Sequence, residues 1–108
     1  MSIFSERERA FENYFMHQEE IYFQVIALRN KLFAKWIVEH MDLDEHLRSL
    51  YIEEIGQLIT EEINDTNLLR RAMTDLNLKG ITITLDDVDK KLNECHELAR
   101  QEFLREHL

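Results

Sequence analysis

The sequence predicts an all-α fold, a four-helix bundle with a long N-terminal helix whose first part overhangs the bundle. Three observations lead there. Only two glycines and no prolines punctuate 108 residues rich in Leu, Ile, Glu, Arg and Lys, too few breaks for sheets and tight turns. Apolar residues recur at helical spacing through most of the chain. The first such stretch is far longer than the others.

Residues 5–41 read as one helix. Phe4, Phe11, Phe15, Tyr22, Ile26, Phe33 and Ile37 recur at alternating steps of seven and four, an eleven-residue period that follows one side of a straight helix. Tyr14, Ile21, Val25, Leu28, Leu32 and Trp36 widen the stripe. At 1.5 Å per residue this segment spans about 55 Å, against about 30 to 35 Å for the later helices. Roughly the first fifteen residues therefore overhang the bundle. Aromatic anchors with nothing of their own to pack against predict a partner surface. The expected division is a partner-binding segment at 1–16, ordered only on binding, and a helical bundle at 17–108, parted near His17-Gln18-Glu19-Glu20.

Asp42, with Glu45 three residues on, resembles a capping box for a second helix bearing Leu47, Leu50, Tyr51, Ile55, Leu58, Ile59 and Ile63. Gly56 falls inside that helix, where it marks a close crossing or costs about 1 kcal/mol relative to Ala. Asn64-Asp65-Thr66 signals a third start, and Leu69, Ala72, Met73 and Leu76 form a short face ending near Gly80, a left-handed terminator. Ile81-Thr82-Ile83-Thr84 alternates like a strand, but with no partner it reads as an extended connector whose isoleucines cover the core. Thr84 then caps a final helix whose stripe is Leu85, Val88, Leu92, Cys95, Ala99 and Phe103.

The net charge of −9 is uneven: residues 1–41 hold five Lys/Arg and six Asp/Glu, the remainder eight and sixteen, or −1 against −8. An acidic body disfavours nucleic acid and anionic lipid as partners, and most of these carboxylates read as solvated helix faces. No apolar run approaches the roughly 18 residues of a membrane span, and nothing resembles a signal segment, so a soluble, cytoplasmic, unprocessed chain is expected. The lone Cys95 lies on an apolar stripe and reads as core rather than as a reactive thiol.

Chemistry is sparse. His17, His40, His46, His96 and His107 are scattered, none has a Glu three residues before it, and no metal site is expected. Glycines at 56 and 80 alone cannot form a phosphate-cradling loop. Adjacent carboxylates at Glu19-Glu20, Glu53-Glu54 and Glu61-Glu62 point about 100° apart on a helix and cannot share a substrate, so no catalysis is expected. Two basic groups, Arg29-Lys31-Lys35 and Arg70-Arg71 with Lys79, could hold an anion, though such groups usually neutralise nearby carboxylates.

Phe4, Arg7-Glu8, Ala10-Phe11-Glu12 and Phe15, then Glu19-Glu20, Arg29-Asn30-Lys31-Leu32, Trp36 and Glu39, resemble the zeta inhibitor subunit of the alphaproteobacterial F-type ATP synthase. The likeness continues through Tyr51, Asp65, Arg70, Asp75-Leu76 and Gly80 and so covers nearly the whole chain. It implies a four-helix protein, peripheral on the membrane-bound synthase. Its N-terminal segment would enter a catalytic interface of the head, against the rotor, blocking ATP hydrolysis while permitting synthesis. Carried over, the partner-binding residues are Phe4, Arg7, Glu8, Phe11, Glu12 and Phe15. The resemblance also implies weak adenine-nucleotide binding, here by side chains because no glycine loop exists; no other cofactor is expected.

A second hypothesis from another class is a nucleotide-sensing or assembly module in which the bundle does the work, which calorimetric titration of ATP tests. A monomer is expected when free. The bland readings of the overhang are an antiparallel pairing of two chains and a fold-back at His17 over the bundle.

Overall fold

The computed structural model describes residues 19–58 and 65–107. Four helices result: α1 Glu19–Glu39, α2 Glu45–Gly56, α3 Thr66–Leu78 and α4 Leu85–His107. No strand occurs among the described residues, and Ile81–Thr84 is a connector without regular secondary structure rather than a strand. The expected overhang, together with Ile59, Ile63 and Asn64, lies outside the described residues.

The core is assembled on α1. Phe33, Ala34 and Ile37 meet Ile55 of α2, Leu68, Ala72 and Leu76 of α3, and Val88, Leu92 and Cys95 of α4, each no more than 7% exposed. A second cluster of Val25, Ala99 and Phe103 continues the α1–α4 seam toward the start of α1, with Ile21, Leu28 and Leu32 packed on it. These pairings place α1 and α4 antiparallel, and each Val, Leu, Ile or Phe side chain so buried contributes about 1.5 to 3 kcal/mol. The predicted stripe of α1 therefore holds wherever it is described: Val25, Ile26, Phe33 and Ile37 are buried, and Tyr22 is half-buried.

Helix ends follow their local chemistry. Gly80 has φ 79°, and the amides of Gly80 and Ile81 donate to the carbonyls of Asn77 and Leu76, both at 3.0 Å. This is the Schellman arrangement, and it directs Ile81 back against the core. Thr84 Oγ1 accepts from the Asp87 amide at 3.1 Å, capping α4 as expected.

Four expectations are corrected. Asp44, not Asp42, caps α2: its carboxylate accepts from the Leu47 amide at 2.9 Å. The chain first closes α1 with bonds from the His40, Met41 and Leu43 amides, so helical geometry resumes only at Glu45. Helix α2 also ends at Gly56, with Gln57 at its C-cap, so Gly56 is a terminal rather than an interior residue. The α2 stripe is largely uncovered: Leu47, Leu50 and Leu58 are 47%, 48% and 40% exposed, and only the Tyr51–Ile55 side faces inward. Leu85, predicted as core, is exposed because it is the first residue of α4, ahead of the turn where packing begins at Val88.

Candidate functional site

Phe4, Arg7, Glu8, Phe11, Glu12 and Phe15 lie outside the described residues, so the structure defines what this segment is attached to. That platform is α1, and two polar side chains on its buried face set its relation to the rest of the chain.

Arg29 and Asn30 are 6% and 0% exposed. Arg29 Nη1 and Nη2 donate to the two carboxylate oxygens of Asp65 at 3.2 and 3.0 Å. Its Nε and Nη2 also donate to Asn30 Oδ1 at 3.1 and 2.9 Å, which fixes the amide so that Asn30 Nδ2 donates to the Leu58 carbonyl at 3.2 Å. Asn30 thus holds the chain where it leaves α2, and Arg29 holds it where it enters α3. The two residues staple both ends of the connector to α1. A forked guanidinium suits this task because it serves a carboxylate and an amide oxygen together.

Sequence reasoning grouped Arg29 with Lys31 and Lys35 as a possible anion holder, and passed over Asn30 as anything but part of a motif. A usable signal was present. The step of seven from Ile26 to Phe33 skips one turn, and the residues on that face at the skipped turn are Arg29 and Asn30. A polar pair interrupting an apolar stripe needs a polar partner, and Asp65 supplies it instead of capping α3 with its side chain.

A second polar cluster joins α2 to α3. Tyr51 donates to Asp75 Oδ2 at 2.6 Å, Arg71 reaches Glu54 at 3.0 Å and Asp75 at 3.5 Å, and its guanidinium lies 5.5 Å from the Tyr51 ring centroid. Burial, with Asp75 beside it, pushes the Tyr51 hydroxyl well above its ordinary value, so it stays a donor. The Arg71 hydrogen bond holds Glu54 below the usual carboxylate range. Thus the Arg70-Arg71 pair divides, with Arg71 serving as a counter-charge and Arg70 exposed.

The remaining reactive types are accounted for by packing. Burial pushes the Cys95 thiol upward, away from the thiolate, as expected for a core cysteine. His96 is half-buried, and burial, then the Arg29 and Arg100 charges, hold its imidazole below its ordinary value. His40 Nδ1 lies 2.8 Å from the Trp36 carbonyl, and His46 is exposed. Among the described residues no group of three His, Cys, Asp or Glu side chains could hold a metal ion.

A family model described as ATPase inhibitor subunit zeta matches residues 1–102. The chain belongs to that family. Comparison with curated proteins and with solved structures gives no match. As a zeta-family inhibitor subunit, the chain carries its staple within the Arg29-Asn30-Lys31-Leu32 block that bears the resemblance. No helix among the described residues is long and apolar enough to cross a membrane.

Two open depressions of this zeta-family chain adjoin one another between α1 and α2. One, about 720 Å³, is lined by Ala27, Lys31, Ile52, Glu53, Gly56 and Gln57; the other, about 500 Å³, by Lys35, Val38, Glu39, Glu45 and Arg48. Ser49 and Ile52 border both, which makes them one groove. Gly56 opens its floor: a Cβ there would stand 2.9 Å from Lys31 Cγ.

Proposed function

We infer that the chain restrains ATP hydrolysis by inserting residues 1–16 into a catalytic interface of the F-type ATP synthase head, against the rotor. The observation that carries this is the family match, which begins at residue 1 and so takes in the whole aromatic stripe. Phe4, Phe11 and Phe15 enter apolar pockets, Arg7 pairs with carboxylates, and Glu8 and Glu12 accept from basic groups of the partner. This is a helix laid in a groove, in which ordering the segment consumes part of the gross binding energy.

The stapled bundle is well suited to this role. A segment that is to resist a rotating partner needs an anchored base, and α1 is fixed on α4 by the Val25 and Phe33 clusters and on the connector by Arg29 and Asn30. The chain acts peripherally on the cytoplasmic side of the membrane-bound enzyme. Adenine nucleotide, if it binds weakly, is held by side chains, and calorimetric titration of ATP into the chain measures it.

The test is ATP hydrolysis by an F-type ATP synthase head titrated with the chain and with its Phe11→Ala and Phe15→Ala variants. Inhibition should weaken at least tenfold for each variant, while circular dichroism remains unchanged. Equal potency of the variants would sink the insertion mechanism.

A further inference from the structure

We propose that His96 is an acid-sensitive catch on the connector between α2 and α3: its protonation sets a second cation against the Arg29–Asp65 pair and opens the staple that holds residues 58 and 65 to α1.

The place of His96 follows from the register of the seam. Val25 packs with Ala99 and Phe103, while Phe33 shares its cluster with Leu92 and Cys95. Arg29 lies midway between Val25 and Phe33, so in this antiparallel pair it stands level with residues 95–99 of α4. Cys95 and Ala99 fill the side of α4 that meets α1. His96 sits about 100° round the helix from Cys95, half-buried, where the charges of both Arg29 and Asp65 reach it.

Four charged groups face its imidazole among the described residues: Arg29 from α1, Asp65 from the connector, and Glu97 and Arg100 from α4 itself. Arg100 Nε donates to Glu97 at 3.0 Å, so those two charges offset each other. Arg29 and Asp65 balance as well, as long as His96 is neutral. Both carboxylate oxygens already accept from the guanidinium, and His96 makes no hydrogen bond among the described residues.

A proton on His96 ends that balance. Two cations then share one carboxylate, beside a guanidinium that is only 6% exposed. If the imidazolium takes a carboxylate oxygen, or if Arg29 withdraws from it, the fork loses a bond. Asn30, whose amide Arg29 orients, then loses its hold on the Leu58 carbonyl. Burial and the Arg29 charge keep His96 below its ordinary value, which is the direction required of a group whose proton opposes the closed staple. Opening admits water to the ring and returns it toward 6.5, so the open form binds the proton more readily and acid favours it. The open fraction therefore rises as pH falls below about 6.5 and levels off once pH passes the folded value.

The experiment follows hydrogen exchange in the full chain by NMR, from about pH 7 down to the ordinary 4.5 of Glu97. At each pH the ratio of wild-type to His96→Gln rates cancels the intrinsic pH dependence of exchange. The reporters are Asn30 Nδ2–H, which donates to the Leu58 carbonyl, and the Leu69 amide, which donates to the Asp65 carbonyl at 2.9 Å. The Val88 amide, bonded to Thr84 at the start of α4, is the reference. Both reporter ratios should climb by up to about tenfold per pH unit along the titration of the His96 ring, while that of Val88 stays near one. Arg29→Met should move the ring's midpoint up toward 6.5. Flat reporter ratios overturn the proposal, as does an equal climb at Val88, which would make His96 a support of the whole fold. A ring midpoint at or above 6.5 in the wild type overturns it too, because the closed site would then welcome the imidazolium.

Discussion

The α1–α4 seam and helix α2 bury their stripes to very different degrees. Along the seam, Val25, Phe33, Ile37, Val88, Leu92, Cys95, Ala99 and Phe103 are all within 7% of full burial. In α2 only Ile55 and Gly56 are buried, Leu47 and Leu50 are about half exposed, and polar contacts from Tyr51 and Glu54 reach across to α3. The seam is held by apolar area removed from water, which salt and pH hardly affect. Helix α2 depends more on directed polar contacts, each of small net worth because water competes for the same groups. Local opening should therefore start at α2 while α1 and α4 stay paired.

The largest expected effect comes from the seam. Phe33→Ala, at a fully buried position, should cost about 3 to 5 kcal/mol, whereas Leu50→Ser in α2 should stay within about 0.5 kcal/mol. Urea unfolding measures both, and similar losses would break the contrast.

Arg29→Met comes next, at about 2 kcal/mol. It removes charged hydrogen bonds to a partly exposed Asp65 and leaves Asn30 without its fixing donor. Hydrogen exchange should rise at the Leu58 and Asp65 amides more than in α4; a uniform rise would mean that Arg29 supports the core generally rather than the connector.

Tyr51→Phe should cost about 1 kcal/mol, with faster exchange in α2 and little change along the seam.

The smallest effect is a pH dependence at His96. Its folded-state value lies below the ordinary 6.5, so the unfolded chain takes up the proton first as pH falls. The stability concerned is fully present above about pH 6.5 and is lost as pH falls from there through the folded value. Arg29 and Asp65 face this group from other elements, and Arg100 and Glu97 from its own helix. Thermal unfolding of His96→Gln should show a flatter profile from pH 7 to the onset of carboxylate protonation, near the ordinary 4.5 of Glu54 and Glu97.

Much of this architecture was legible because it is local. Gly80 as a left-handed terminator, Thr84 as a cap and Ile81–Thr84 as a connector rather than a strand each depend on residues a few positions apart, and the structure shows all three. The Asp42 cap failed on an equally local matter, since two acidic residues stood two positions apart and the bonds closing α1 selected Asp44. The candidate inhibitory residues lie outside the described residues; periodicity alone pointed Phe4, Phe11 and Phe15 to a partner surface, while the partner's identity and the parts of Arg7, Glu8 and Glu12 came only from family resemblance, because an aromatic stripe does not say what it will meet.

By itself, the sequence determined the all-helical class, the α1 stripe and the neutral core role of Cys95, since backbone propensity and periodicity act within a single helix. Only the tertiary structure decided which faces found cover. Helix α2 has the apolar spacing of a core helix yet leaves Leu47 and Leu50 half exposed, because burial depends on whether another helix lies over a face. Arg29 and Asn30 likewise took their meaning from residues 58 and 65, far along the chain and adjacent only once α1 is crossed by the connector's ends. A charged group inside an apolar stripe is tolerable only with its partner in place, and that placement belongs to the fold.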